Sequence, residues 1–408
     1  MGKLQGCRAA LGWLVVIALG LNLRPILSSV SPLLADIRLA TGMSFQTASL
    51  LTTLPVVCMG LVALMAVRIE AVLGERRGIA LGLALIFLAS LVRGLQGQSA
   101  MLLATALLGG AGVALIQALL PAVIKRQFQG RVPLAMGVYS ASLMGGGGLA
   151  ALLSPLVAGH FQHWQTGLGI WLVPALLAWG LWLWMADKRP SVGTRQPREA
   201  FYRQRRAWLL ALYFGLINAG YTSMVAWLPA YYLQLGWSPM RSGSLLAFMT
   251  IFQVLAALLM PALAQRRADR RPLLTISLLA QVLGYCGLVW LPGHFTFAWV
   301  ALIGFGLGAC FALSLILTLD HRKDPRQAGQ LAAFVQGIGF LINATSPWIS
   351  AWLREVTGSF VTAWVVLAVV CGAMIVLTRV FNPAGYRGSV GAGSPAIADG
   401  AVLSDAPR

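Results

Sequence analysis

Acidic residues are scarce in this chain of 408 residues, where 11 Asp and Glu stand against 30 Lys and Arg. Charged residues of both signs make up 10% of it, whereas a typical soluble domain carries about 25%. So few charges cannot cover the surface of a water-soluble protein of this size. Together with a hydrophobic content of 58%, this excludes the soluble globular classes. The acids also avoid the apolar runs. Asp36, Glu70, Glu75, Asp187, Glu199, Asp269, Asp320, Asp324, Glu355, Asp399 and Asp405 fall in connections, at run ends or in the tail, and His160, His163, His294 and His321 lie at run ends. With no carboxylate pair, nucleophile–base pair or metal-like cluster inside the runs, neither an enzyme nor a bound cofactor or metal is expected. Cys7, Cys58, Cys286, Cys310 and Cys371 are scattered and read as small buried hydrophobes. The net charge of +19 does not imply nucleic acid, because the basic residues form no stripe with interleaved aromatics.

What the chain has is apolar runs, near 10–34, 45–67, 78–96, 100–124, 134–159 and 167–186, then near 207–233, 241–264, 272–291, 295–319, 328–353 and 359–381. A membrane helix needs about 20 apolar residues to cross about 30 Å of hydrocarbon. The pattern predicts an all-α membrane protein of 12 transmembrane helices. Residues 1–186 form an N-terminal six-helix bundle and 207–381 a C-terminal one. Between them lies a polar linker, 187–206, and after them a tail, 382–408, rich in Gly, Ala, Ser and Pro and expected to be disordered. Lys3 and Arg8 before an apolar stretch resemble a signal peptide, but Leu11 to Ser31 is too long for one and reads as a retained first helix.

Charge orients the spans. With a cytoplasmic N-terminus, 25 of the 30 basic residues fall in cytoplasmic segments, and Arg38, Arg93, Arg241 and Arg354 fall on the opposite side. That asymmetry, alternating through every loop, is the positive-inside pattern of a multi-pass protein of the bacterial inner membrane with both termini cytoplasmic.

Arg24 belongs to neither side. It lies near the middle of the first run, roughly 15 Å from either end by helical rise, in Asn22-Leu23-Arg24-Pro25. An arginine at that depth costs about 2.5–3.5 kcal/mol to insert, and no acid lies at its level. Snorkelling, or capping of carbonyls freed by Pro25, would explain it structurally. The functional reading is an anion site, since an unpaired guanidinium offers a planar two-donor fork. Polar residues at comparable depth complete the candidate substrate-binding set: Asn22, Gln117, Tyr139, Tyr221, Asn218 and Gln336, with Ser140 and Asn343 at the same depth beside them. Each, taken alone, suits an interhelical hydrogen bond.

The halves repeat at an offset of about 192 to 197 residues. Asn22 matches Asn218, Pro32 matches Pro229, Gly112 matches Gly308, Ser154-Pro155 matches Ser346-Pro347, and Glu75-Arg76-Arg77 matches Asp269-Arg270-Arg271. Two six-helix halves of this kind bind substrate near the midplane between them. Glycines cluster at 109, 110 and 112, at 145–148, and at 304, 306 and 308, where small residues let helices approach closely.

The second and eighth connections resemble a degenerate form of the loop motif of the major facilitator superfamily. The stretches Gly20–Leu34, Gly42–Phe45, Leu51–Val57, Leu107–Gly112, Pro121–Arg126, Leu143–Leu149, Tyr213–Asn218 and Phe334–Phe340 resemble the cyanate transporter family of that superfamily, over about residues 11–380. The resemblance implies two six-helix bundles around a central cavity and alternating-access transport of a small anion such as cyanate. It also leaves open an exporter of small nitro-heterocyclic or other small polar organic compounds, because such a protein belongs to the same group. Glu75, Arg76, Arg77, Asp269, Arg270 and Arg271 are then candidate gating residues, the acids expected to hold arginines across a closing gap. The expected partners of this monomer are the small anionic substrate and the lipid bilayer, without nucleic acid.

Overall fold

The computed structural model describes residues 2–43, 45–185, 200–237 and 239–383. Most of the linker (187–199) and the tail from 384 lie outside them. Among the described residues the chain is helical and contains no strand. The helices are α1 (Gly2–Leu21), α2 (Pro25–Ser28), α3 (Leu34–Thr41), α4 (Phe45–Leu95), α5 (Ser99–Gln127), α6 (Val132–Phe161), α7 (Trp164–Gly169) and α8 (Leu172–Met185). They continue with α9 (Arg205–Gln234), α10 (Pro239–Ala264), α11 (Arg271–Trp290), α12 (Thr296–Asp320), α13 (Pro325–Thr357) and α14 (Val361–Thr378). The second and third predicted spans are the two limbs of α4. They meet at Gly74, whose φ of 71° and ψ of 166° break the helix in a region open to glycine and costly for other residues.

Ten helices among the described residues are long and apolar enough to cross a membrane, and a shorter apolar helix runs over Leu50–Met65. With α13 these account for the twelve spans expected. Helix α13 is less apolar because it turns Gln336, Asn343, Ser346 and Ser350 inward.

Helices α1–α8 pack chiefly among themselves, as do α9–α14. The two groups meet where α4 and α5 lie on α13, and where α6 lies on α10 and α12. Named contacts between the groups gather toward the end where α8 gives way to the linker. Gly60 and Gly337 pack against Leu341 and Leu64, Gly329 lies on Ala122, and Gly137 lies on Ala257 and Pro261. At the extreme of that end, the Lys125 ammonium donates to the carbonyls of Leu319 and Arg322 at the C-terminus of α12.

The candidate gating residues lie at this end, and the pairs Glu75–Arg126, Arg270–Asp320 and Asp269–Arg271 among the described residues each stay within one group. Glu75 is buried and takes a bidentate bond from Arg126, at 2.8 and 2.5 Å. Arg270 donates to Asp320 at 2.8 Å, and Asp269 pairs with its near neighbour Arg271 at 2.7 Å. Arg76 donates to the Leu183 carbonyl at 3.0 Å and Arg77 is exposed. The expectation of acids reaching across a gap is therefore corrected for this conformation. The reason is register: Glu75 starts the second limb of α4 directly beside the end of α5, so the nearest arginine belongs to its own group. The repeat remains visible, with Glu75–Arg126 in one group and Arg270–Asp320 at equivalent places in the other, charges exchanged.

At this end Lys125 does cross. An ammonium on exposed carbonyls at a helix C-terminus is favourable, and it exists only while the groups are together. Replacing Lys125 by Met should loosen this end and shift the population toward the form open there. Cysteine cross-linking between the ends of α5 and α12 should fall accordingly, whereas Glu75→Gln should lower thermal stability with a smaller effect on cross-linking.

Candidate substrate pocket

Helix α1 stops at Leu21 because Pro25 has no N–H with which to continue the ladder. The amides of Asn22 and Leu23 fall back on Leu19 and Gly20 at 3.2 and 3.1 Å. Arg24 then caps the short helix α2, its carbonyl accepting from the amides of Leu27 and Ser28 at 3.0 Å each. The break rests on the glycine run of α6. A Cβ added to Gly146 would press on the Leu21 carbonyl, its carbon 2.8 Å away, and one added to Gly147 would come to 3.2 Å from Arg24 Cβ. These glycines therefore set how near the Arg24 segment lies to α6.

The Arg24 guanidinium leaves this break toward the other group of helices. Its Cζ lies 4.6 Å from the centre of the Tyr221 ring on α9, a cation–π contact worth about 0.5–2 kcal/mol. Its Nε is buried and has no hydrogen-bond partner, and no ion pair among the described residues includes it. Capping does not account for this side chain, which turns into a pocket and forms no hydrogen bond to the carbonyls of the Pro25 break. Arg24 lines a small, narrow pocket together with Asn218, Tyr221, Gln253, Asn343 and an apolar wall of Met144, Leu307, Phe311 and Phe340. Neutral amides come from α9, α10 and α13, the cation comes from the α1–α2 break, and the pocket therefore spans both groups. In this low-dielectric setting an anion gains more from a guanidinium than it would in water.

The structure divides the candidate set. Arg24, Asn218 and Tyr221 line the pocket. Asn22 does not, because its amide donates to Ala18 O at 2.8 Å and across to Pro174 O of α8 at 3.1 Å. The match with Asn218 survives as local geometry, since Asn218 likewise donates to the carbonyl four residues back, Phe214 O, at 2.7 Å. Gln117, Tyr139 and Gln336 are fully buried between α5, α6 and α13 and do not line the pocket. Gln336 donates to the Gln117 carbonyl at 3.2 Å, joining the two groups. The Tyr139 hydroxyl lies beside the Gln117 amide and within the field of Arg24, though it forms no well-aligned hydrogen bond.

Gln253 is the pocket residue that the sequence reading missed. It is buried on α10 with an unpartnered Nε2, and a lone glutamine in the apolar run 241–264 was its signal. The burial of Arg93 was also missed. It lies near the end of α4 away from the linker, the side on which it was counted, but buried within the helix packing instead of exposed there.

Fold and pocket together define a polytopic helical carrier, with a polar pocket shared between two groups of membrane helices and no cluster of three His, Cys, Asp or Glu among the described residues. The sequence matches the Major Facilitator Superfamily over residues 14–347, and the chain belongs to that family of membrane transporters. It is 47% identical to the cyanate transport protein CynX of Escherichia coli K12, over 91% of this chain and 97% of that one. It is 29% identical to the 2-nitroimidazole transporter of the same organism, over 85% and 88%. The fold is shared with FucP, a superfamily transporter solved in the outward conformation, with a TM-score of 0.70 at 13% identity, covering 91% of this chain and 98% of FucP.

Proposed function

We propose that this transporter carries a small anion, cyanate before others, by alternating access across the bacterial inner membrane. The observation that carries the reading is Arg24, a guanidinium with a free donor and no carboxylate, facing a pocket whose other polar groups are all neutral. One end of a small linear anion would take the guanidinium fork, and its far end would meet the amides of Gln253, Asn218 or Asn343. Gln117, Tyr139 and Gln336 would act beneath this site, at the contact between groups that must part when the carrier opens toward the linker. The likeness to the cyanate transport protein supports cyanate, and Arg24 favours an anion over a neutral nitro-heterocycle. Labelled cyanate uptake, measured beside nitroimidazole resistance in a deletion strain complemented with this chain, tests the choice. Cyanate uptake without added resistance is expected. Resistance without uptake would turn the reading to the exporter.

In this reading residues 1–186 and 207–381 move as units, Lys125 releases α12 on opening, and the carrier works as a monomer. The linker end, with its basic residues, faces the cytoplasm together with both termini. Reporter fusions near Arg195 and at the C-terminus should show cytoplasmic activity, and one at Gln96–Gln98 should report the periplasm. The reverse pattern would invert the topology.

A further inference from the structure

Arg93 is 1% exposed and sits near the end of α4 away from the linker. Its Nη1 donates to the Ile26 carbonyl at 2.6 Å, its Nε donates to Thr105 Oγ1 on α5 at 3.0 Å, and its Nη2 is buried without a partner. Thr105 is held in turn by its own bond to Leu102 O at 2.7 Å. No carboxylate among the described residues compensates the charge. A buried cation of this kind is costly to maintain, so what it holds matters.

It holds the helix that begins at Arg24. In an unbroken helix Ile26 O would accept from the Val30 amide, but that amide turns to Leu27 O at 3.4 Å. The short helix α2 thus leaves a carbonyl free within the membrane, where an unsatisfied group is expensive. Arg93 supplies the missing donor from α4. The other side of the break is closed by Gly146 and Gly147 of α6. Arg24 has no hydrogen bond of its own to fix the direction of its fork, so its aim depends on where this pinned segment lies.

We propose that Arg93 is a positioning residue for Arg24: by bonding Ile26 it holds the α1–α2 break in the place that directs the Arg24 guanidinium into the pocket. The proposal rests on the anion-pocket reading for its ligand, but not for its geometry. Among the described residues Arg93 is not part of the pocket lining and its hydrogen bonds go to Ile26 and Thr105; its effect passes through α2.

Equilibrium binding of cyanate to the purified protein in nanodiscs, with melting temperature measured alongside, tests it. Arg93→Met should weaken binding about tenfold, the scale of a lost charge-assisted hydrogen bond. Arg93→Lys, which can still reach Ile26 O, should recover most of that affinity. In an Arg24→Lys background, Arg93→Met should change affinity little, because a flexible ammonium does not need an aimed fork. Wild-type affinity in Arg93→Met, or equal losses in both backgrounds, would overturn the proposal; the second result would mark Arg93 as a distant charge or a packing residue. A ligand-free measurement separates this from the anion reading. With the native cysteines replaced, Arg24→Cys should react with a small methanethiosulfonate at a rate that changes when Arg93→Met is added. An unchanged rate refutes positioning. A changed rate in a protein that binds no cyanate leaves positioning standing and removes the anion reading.

Discussion

Arg24→Ala should abolish uptake of cyanate while the protein inserts, folds and purifies at normal yield. The expected loss is large because no other cation lines the pocket among the described residues: its remaining polar groups are the amides of Asn218, Gln253 and Asn343 and the phenol of Tyr221. Neutral hydrogen bonds net about 0.5–1.5 kcal/mol each, whereas bonds to a charged group reach about 1.5–3 kcal/mol. Two such bonds from one planar fork, together with the charge itself, dominate the pocket. Arg24→Lys keeps the charge but loses the fork and the flat contact with Tyr221, and should weaken binding by about tenfold without abolishing it. Stability should hold or rise in Arg24→Ala, because a partly buried, unpaired charge is removed. Binding isotherms and melting curves on the same preparations check both statements. Wild-type uptake by Arg24→Ala would leave the arginine as a structural feature of the break, and the anion reading would go with it.

Gly146→Ala should damage transport almost as severely, although residue 146 is not among the pocket-lining residues. The added methyl would press on the Leu21 carbonyl, with the carbonyl carbon and Cα at 2.8 and 2.9 Å. These are backbone atoms, so no side-chain rotation relieves the clash. Either α6 withdraws from α1 or the segment Leu21–Arg24 shifts, and in both cases the guanidinium moves away from Tyr221 and the pocket amides. Overpacking of this kind costs typically about 1–3 kcal/mol, and a displacement near 1 Å at a binding group is enough to remove most of its contribution. Two alanines on the same helix serve as controls. At Gly145 the nearest atom to an added Cβ is Val254 Cγ2 at 3.9 Å, and at Gly159 nothing lies within 4 Å. Both variants should transport at near wild-type rate. If Gly146→Ala matched them, the close packing of α6 on the break would have no bearing on the site.

Some of this was open to sequence reasoning because the membrane simplifies the problem. Spans must be helical, each must be long enough, and basic residues gather on one side, so hydropathy and charge predict the helices without knowledge of their packing. The same physics singled out Arg24, since any charge within an apolar run stands against its surroundings. The repeat pointed to a site between two halves, and Arg24, Asn218 and Tyr221 do share one pocket. Packing decided the rest. A polar side chain in a membrane helix either bonds a neighbouring helix or faces a cavity, and periodicity alone cannot distinguish the two. Hence Asn22 turned to α8, Gln336 to the backbone carbonyl of Gln117, and Gln253 to the pocket. Arg93, counted only as a charge of the side opposite the linker from its place near the end of a run, is buried because a broken helix two spans away leaves a carbonyl within its reach. The acids of the two loop motifs found partners inside their own groups, because neighbouring helix ends lie nearer than the opposite side of a gap. By itself the sequence determined the number of spans, the position of the pocket cation and the kind of protein. Which helix each polar group faces was decided by the tertiary structure, because that choice depends on the rotation of each helix about its axis, which is set by contacts distant in the chain.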